Sequence, residues 1–509
     1  VAPHNIVNLP SSPTTPRPLL VPQEQRASVE TGYLLPLVAC LAALLALRLA
    51  AIYAAKTDLV SDEAQYWTWS RELAFGYFSK PPMIAWLIRG ATAICGDGEV
   101  CIRSASPALY TLASVVMFLT GRALFGERVG FWSAIVFATL PGVSYSSLLI
   151  TTDVPLILFW IIALYFWVML VKRQSMGFAV LFGVAIGLGL LAKQAMIYAV
   201  LCVACHAVVS REARQALRGG RGIVAALVAL ALFAPNVIWN AEHGFPTVRH
   251  TGANIGWQYP YVHPLQLFEF LIVQFGVFGP ILVLVLLRTA WREIKEPHDS
   301  RKTLLLCFSL PVIPILTVQA ILSRAHGNWS ATAYPAATIL VTASMIELNR
   351  KILFAISLCL HLLVAVLLAI APAFALQSPL FERIQFLSQV VGWRGVAGAV
   401  RAQLAEGRYG AVLVDSRELA AELLYYLRDS ELPLYVLRSG PVPTDHYEMT
   451  RAYGSGAPEP VLFVSLKRCP QSLGQSFAEV TELGTVDVPI VKTKTRVLHF
   501  CRLAGYKGD

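Results

Sequence analysis

Charge is what this chain has least of. Only 14% of its 509 residues are Asp, Glu, Lys or Arg, against 56% hydrophobic, where a soluble protein carries about 25% charge. That deficit excludes an ordinary soluble domain and points to a polytopic helical membrane protein. The long apolar runs have almost no ionisable residue in their middles, which argues against a pump or ion-coupled transporter. There is no obvious internal repeat. A glycine-rich phosphate fingerprint is missing, so no nucleotide site is read. The nine cysteines are scattered, and no histidine pair has i, i+4 spacing on one element, so the metal signal is weak. Residues 1–32 are polar and proline-rich without an apolar core. They read as a disordered tail with no cleavable signal peptide, and the first span is expected to act as an uncleaved anchor. The net charge of +10 is read as loop cations beside a bilayer rather than as a nucleic-acid surface.

What is present is a series of apolar runs between residues 33 and 376, about eleven by the ~20-residue requirement of a span. Lys172, Arg173, Arg211, Arg214, Arg218, Arg221, Arg288, Arg292, Arg301, Lys302, Arg350 and Lys351 fall in alternate loops. That bias places the N-terminus inside and residues 377–509 outside, which in a bacterium is the periplasm of the inner membrane. Residues 377–509 change character. GAVLVDS, LPLYVLRS, PVLFVSL and TRVLHFCRL read as strands and RELAAELLYYLRD as a helix, hence a small α/β domain, expected to be a lid or docking unit without chemistry. The fold class is therefore mainly α, a polytopic helical membrane domain with a small α/β C-terminal domain. Cys95 with Cys101 and Cys469 with Cys501 are candidate disulfides in an oxidising compartment.

The chemistry concentrates in the first outer loop, residues 56–105. It holds Asp62 and Glu63, the cations Lys56, Arg71 and Lys80, and the aromatics Tyr66 and Trp67. An acidic pair at a helix start also has a plain reading, as solvated charge favoured by the helix dipole. The aromatic density and a second acid, Asp153 in TTDVP, favour a site. Two carboxylates together suit general-base chemistry, or else share a divalent metal. Lys80 is fixed by Pro81-Pro82, and with Arg71, Lys56 and Lys193 it is a candidate for neutralising a phosphate, the alternative being an interfacial lysine whose head snorkels to water. Trp257, Trp329, His243, Glu242 and Arg324 are further candidates for sugar or acceptor contacts. For the tryptophans the competing reading is an interfacial belt.

DEAQYWTWSRELAFGYFSKPPMIAWLIR, LITTDVPLILFW, GLGLLAKQA, PNVIWNAEHGFP and GNWSATAYPA resemble bacterial membrane glycosyltransferases of the C superfold. The likeness is to the protein O-mannosyltransferase-like family and to the transferases that put aminoarabinose or galacturonic acid on lipid A. It covers roughly residues 35–350. It implies a polyprenyl-phosphate sugar donor, a lipid-linked or glycan acceptor, and inverting transfer that is light on metal. It makes Asp62 the catalytic acid of the first loop, with Glu63 beside it, Asp153 the supporting acid, and Lys80 the carrier-phosphate lysine. Ser79 departs from the aminoarabinose enzymes, where a glutamate is expected. Lipid A or the lipopolysaccharide core is the expected acceptor, protein or another envelope glycan the second. A lipid or sugar transporter and an envelope scaffold are the readings from other classes.

Overall fold

The computed structural model describes residues 32–374 and 389–508, apart from 258, 260, 297, 298, 492 and 493. The tail read at 1–32 falls outside the described residues but for Gly32, and the domain boundary read at 376–377 falls outside them entirely.

The chain opens with α1 (Leu34–Ala54), apolar on every side, which buries Leu37, Leu41, Arg48, Ala51 and Ile52 along one stripe. Arg48 is a charge inside a span that the sequence reading passed over. It donates to the carbonyl of Ala138, near the break between two later helices where Pro141 cannot supply the usual N–H. Then follow α2 (Ser61–Arg71), α3 (Met83–Cys95), α4 (Glu99–Phe125), α5 (Glu127–Thr139), α6 (Pro141–Ser146) and α7 (Asp153–Arg173). α7 begins with an acid and ends on Lys172 and Arg173, the polarity that the helix dipole favours. Next come α8 (Met176–Ala192), α9 (Ile197–Val209), α10 (Arg211–Leu217), α11 (Arg221–Glu242), α12 (Pro246–Ile255), α13 (Pro264–Phe278), α14 (Pro280–Lys295), α15 (Ser300–Cys307), α16 (Val312–Leu322), α17 (Tyr334–Glu347) and α18 (Lys351–Ile370).

Among the described residues six helical stretches are long and apolar enough to cross a membrane, or seven if the pair α13 and α14 counts as one broken span. That pair bends by 104° at Gly279, whose φ is +95° and where a Cβ would come 2.3 Å from His361. The runs read as about eleven spans also take in shorter apolar helices: α5 and α9 have 13 residues, α8 has 17 and α17 has 14. α17 is buried over almost its whole length.

The C-terminal domain contains α19 (Trp393–Glu406), β1 (Ala411–Val414), α20 (Arg417–Tyr426), β2 (Leu434–Val436), α21 (His446–Thr450), β3 (Val461–Ser465), α22 (Leu473–Ser476), β4 (Phe477–Val491) and β5 (Lys494–Tyr506). Its sheet has the order β2-β1-β3-β5-β4, parallel from β2 to β3 and antiparallel beyond. Cys469 and Cys501 are disulfide-bonded, as are Cys95 and Cys101 in the first loop.

This domain is built onto the first loop rather than tethered to it. Leu59, Ala64, Tyr66 and Trp67 share one core with Leu419, Leu423 and Tyr425 of α20. The Asp58 carboxylate accepts from the backbone N–H groups of Trp393 at 2.7 Å and Arg394 at 3.4 Å, so it caps α19 from outside its own domain.

Glu63 fixes the start of α2. It is 1% exposed and takes Arg103 of α4 at 2.6 Å, the Val60 N–H at 3.0 Å and the Ile150 N–H at 2.9 Å. Arg103 also donates to the Asp58 carbonyl at 2.7 Å. Arg103 is thus half of a buried ion pair. Removing one partner strands the other charge in a dry interior, so Arg103→Met is expected to cost about 3–5 kcal/mol. Equilibrium unfolding of purified protein checks this, and a loss near zero would contradict the assignment.

Candidate active site

The loop carrying Lys80 is held from several sides. Tyr77 stacks on Trp69 with centroids 4.6 Å apart, and its hydroxyl donates to the Trp69 carbonyl at 2.9 Å. Its carbonyl accepts from Thr247 at 3.0 Å, and its N–H donates to the Lys80 carbonyl at 3.0 Å. Asn236 of α11 donates to the Phe75 carbonyl at 2.6 Å. Gly76 lies so close to Trp239 that a Cβ there would meet the ring at 2.3 Å. These contacts, with Pro81-Pro82 behind, fix where the lysine stands.

Lys80 has no hydrogen bond or ion pair from its amine among the described residues. Burial lowers its pKa below the ordinary 10.5, and Lys193 lowers it further, against the opposing pull of Asp62 and Asp153. Asp62 and Asp153 each have a cation of their own. Arg417 donates to Asp62 Oδ1 at 2.7 Å and to Gln65 at 3.2 Å. Lys193 donates to Asp153 Oδ1 at 2.6 Å, and Asn328 donates to Oδ2 at 2.7 Å. Among the described residues Asp62 Oδ2 has no hydrogen bond, and its side chain is 53% exposed. The Tyr66 hydroxyl lies in the fields of Asp62, Arg417 and Asp153, and burial pushes its pKa well up. His250, edge-on to Phe78, is held below its ordinary pKa by burial and by Lys80 and Arg417.

The structure thus brings Asp62, Asp153, Lys80, Lys193 and Tyr66 together, and it reassigns others. Glu63 has its oxygens committed to Arg103 and two backbone N–H groups and is buried, so it positions α2 and is corrected from a catalytic to an anchoring role. Trp67 is corrected as a sugar platform: its indole donates to Asp97 at 2.9 Å and its ring packs on Tyr425 of the C-terminal domain. Arg71 is corrected as a phosphate ligand, because it pairs with Asp97 at 3.0 Å on that same interface. Lys56 is exposed at the end of α1 and is not among the charges acting on Lys80.

Elsewhere, His243 stacks on Trp239, centroids 4.2 Å apart, with Nδ1 bonded to the Trp239 carbonyl. Glu242 beside it is exposed. Trp257 donates to Gln319 at 2.9 Å and is 60% exposed. Arg324 and Trp329 flank His326 in the segment that delivers Asn328 to Asp153.

A shared divalent metal does not fit these residues. Both oxygens of Asp153 are taken, Asp62 is bound by Arg417, and among the described residues no three His, Cys, Asp or Glu side chains converge. Arg417 and Asn328 were missed by sequence reasoning. Arg417 lies 355 positions from Asp62 in a domain read as free of chemistry, with no local motif to mark it.

Comparison with known proteins agrees with this architecture. The family model described as dolichyl-phosphate-mannose-protein mannosyltransferase matches residues 79–239. The lipid A galacturonosyltransferase RgtD of Rhizobium johnstonii is 34% identical over 410 residues, 80% of this chain and 86% of that protein. Two crystal structures of ArnT from Cupriavidus metallidurans are similar in fold. The apo form has a TM-score of 0.64 at 16% identity, covering 91% of this chain and 97% of that one. The form bound to undecaprenyl phosphate has 0.63 at 17%, covering 93% and 98%. Together these matches show a membrane glycosyltransferase of the C superfold. Within that class the chain belongs to the family that includes the lipid A galacturonosyltransferase RgtD.

After burial, Lys193 has the largest influence on Lys80, and it adds a like charge. Lys193→Met removes that charge and frees Asp153, and both changes act in one direction, so the Lys80 pKa is expected to rise. Carbon NMR of reductively methylated protein followed against pH checks this; a fall or no change would contradict the arrangement.

Proposed function

We propose that the protein is an inner-membrane glycosyltransferase that moves a sugar from a polyprenyl phosphate to lipid A or the lipopolysaccharide core at the periplasmic face, and that the sugar is a uronic acid. The observation that carries the reading is Lys80, an amine without an anionic partner among the described residues, set among two carboxylates and two further cations. A donor phosphate supplies the missing anion. The relative that transfers galacturonic acid to lipid A supports the sugar and the acceptor. The distribution of loop cations and the two disulfides support the periplasmic side.

In this reading the anomeric carbon carries the polyprenyl phosphate, and Lys80 neutralises the phosphate as the C1–O bond breaks. The acceptor hydroxyl attacks from the opposite face and gives its proton to Asp62 Oδ2, the oxygen that Arg417 leaves open. Polyprenyl phosphate departs and the anomeric configuration inverts. Asp153, oriented by Lys193 and Asn328, supports the sugar and donor side. Arg417 and Lys193 are the cations available to a uronate carboxylate. The match to a protein mannosyltransferase model favours, as a second reading, transfer to protein or another envelope glycan.

Two outcomes follow. With membrane lipid extract as donor and lipid A as acceptor, in nanodiscs, mass spectrometry is expected to show a gain of one hexuronic acid. Asp62→Asn should lower that transfer about 10²–10⁴-fold with little change in unfolding midpoint. A gain on protein or glycan alone would select the second reading. Lipid or sugar crossing vesicles without any transfer would overturn both. Polyprenyl phosphate binding is also expected to weaken as pH rises through the Lys80 pKa, since only the ammonium attracts phosphate. Because that pKa lies below 10.5, the weakening begins at lower pH than for an ordinary lysine. Lys80→Arg should abolish the alkaline loss, and its persistence in that variant would contradict the role.

A further inference from the structure

The other end of the bundle carries a second built feature. α18 has 20 residues, and Pro372, just past its end, accepts a hydrogen bond from Lys56 in the first outer loop. At 1.5 Å per residue, its beginning at Lys351 lies about 30 Å away from that face. There α14, α17 and α18 enclose a groove of about 890 Å³.

Cations from two separate elements converge on this groove. Arg288 and Arg292 stand one turn apart on α14, and Arg350 and Lys351 open α18. The groove's two carboxylates, Glu347 and Glu293, both engage Lys302, at 2.6 Å and 3.5 Å. Among the described residues none of the other four cations has a carboxylate within ion-pair distance. The first turn of α18 has no side-chain cap, so its free N–H groups add to the positive potential. Beside the cations the wall turns apolar and open: Ile352 is 79% exposed and Ile356 54%. Loop cations that merely set topology need not converge in this way.

We propose that this groove binds the headgroup of an anionic glycerophospholipid from the leaflet at that end. Its phosphate sits among Arg288, Arg292, Arg350 and Lys351, and its acyl chains run down α18 over Ile352 and Ile356. A zwitterionic headgroup leaves the excess positive charge uncompensated. A free phosphate satisfies the cations but leaves the apolar wall uncovered. The lipid matches both halves of the groove.

The test uses the full-length protein in phosphatidylcholine nanodiscs, with phosphatidylglycerol titrated in and retained lipid counted by native mass spectrometry. Phosphatidylglycerol is expected to be retained over phosphatidylcholine. The Arg288→Gln/Arg292→Gln variant is expected to weaken it roughly 30-fold, at about one kcal/mol per cation. The Arg350→Gln/Lys351→Gln variant should do the same. If either double variant melts early in phosphatidylcholine discs, Arg292→Gln alone is read instead, with a loss of roughly fivefold. Equal retention of the two lipids, or unchanged retention in the variants, overturns the proposal. Displacement of phosphatidylglycerol by millimolar inorganic phosphate also overturns it, in favour of a free-phosphate site.

Discussion

The ion pair between Glu63 and Arg103 is the constraint on which the active face rests. Both side chains are nearly inaccessible, 2% and 3% exposed. Such a pair contributes little net stability compared with apolar residues of the same volume, but it tolerates no misplacement. Its geometric consequence is large. Glu63 holds the Ile150 N–H, three residues before Asp153, and it follows Asp62 directly in the chain. One buried carboxylate therefore sets the relative placement of the two acids that face the cluster. The exposed acid, Asp62, is the chain neighbour of the one that folds the loop.

The C-terminal domain then closes the site from the far end of the chain. Tyr426 donates to Glu99 at 2.6 Å and accepts from the Leu59 N–H at 2.9 Å. Arg451 reaches Glu72 at 2.9 Å, and Arg417 reaches Asp62. These contacts surround a shared apolar core, so the domain and the first loop are one packing unit. Glu422 of α20 shows how dry this region is. It is fully buried, among the described residues neither of its oxygens has a hydrogen bond, and burial raises its pKa well above the ordinary glutamate value.

The membrane class and the strand-helix character of the tail were legible because both follow from local composition and periodicity. Pro81-Pro82 marks the loop that carries Lys80 within a few residues. What the sequence hid was long-range. Asp62 and Glu63 are adjacent acids at one helix start, and nothing local says which faces Arg103 inside and which faces Arg417 outside. Trp67 and Arg71 look like site residues by composition, yet the docked domain packs on Trp67 and Arg71 pairs with Asp97. Hydropathy likewise does not separate a helix that meets lipid from one such as α17, which is buried over almost its whole length. Arg48 was overlooked because one charge in an apolar run leaves no pattern, and its acceptor belongs to a distant broken helix.

The most direct measurement is a structure of the full-length protein with a non-transferable polyprenyl-phosphate sugar bound. The account requires the phosphate within hydrogen-bond distance of Lys80 Nζ and the anomeric carbon on the side of Asp62. Arg417 should still contact Asp62 Oδ1. A phosphate bound away from Lys80, with Asp62 and Asp153 unchanged and facing solvent, would contradict it.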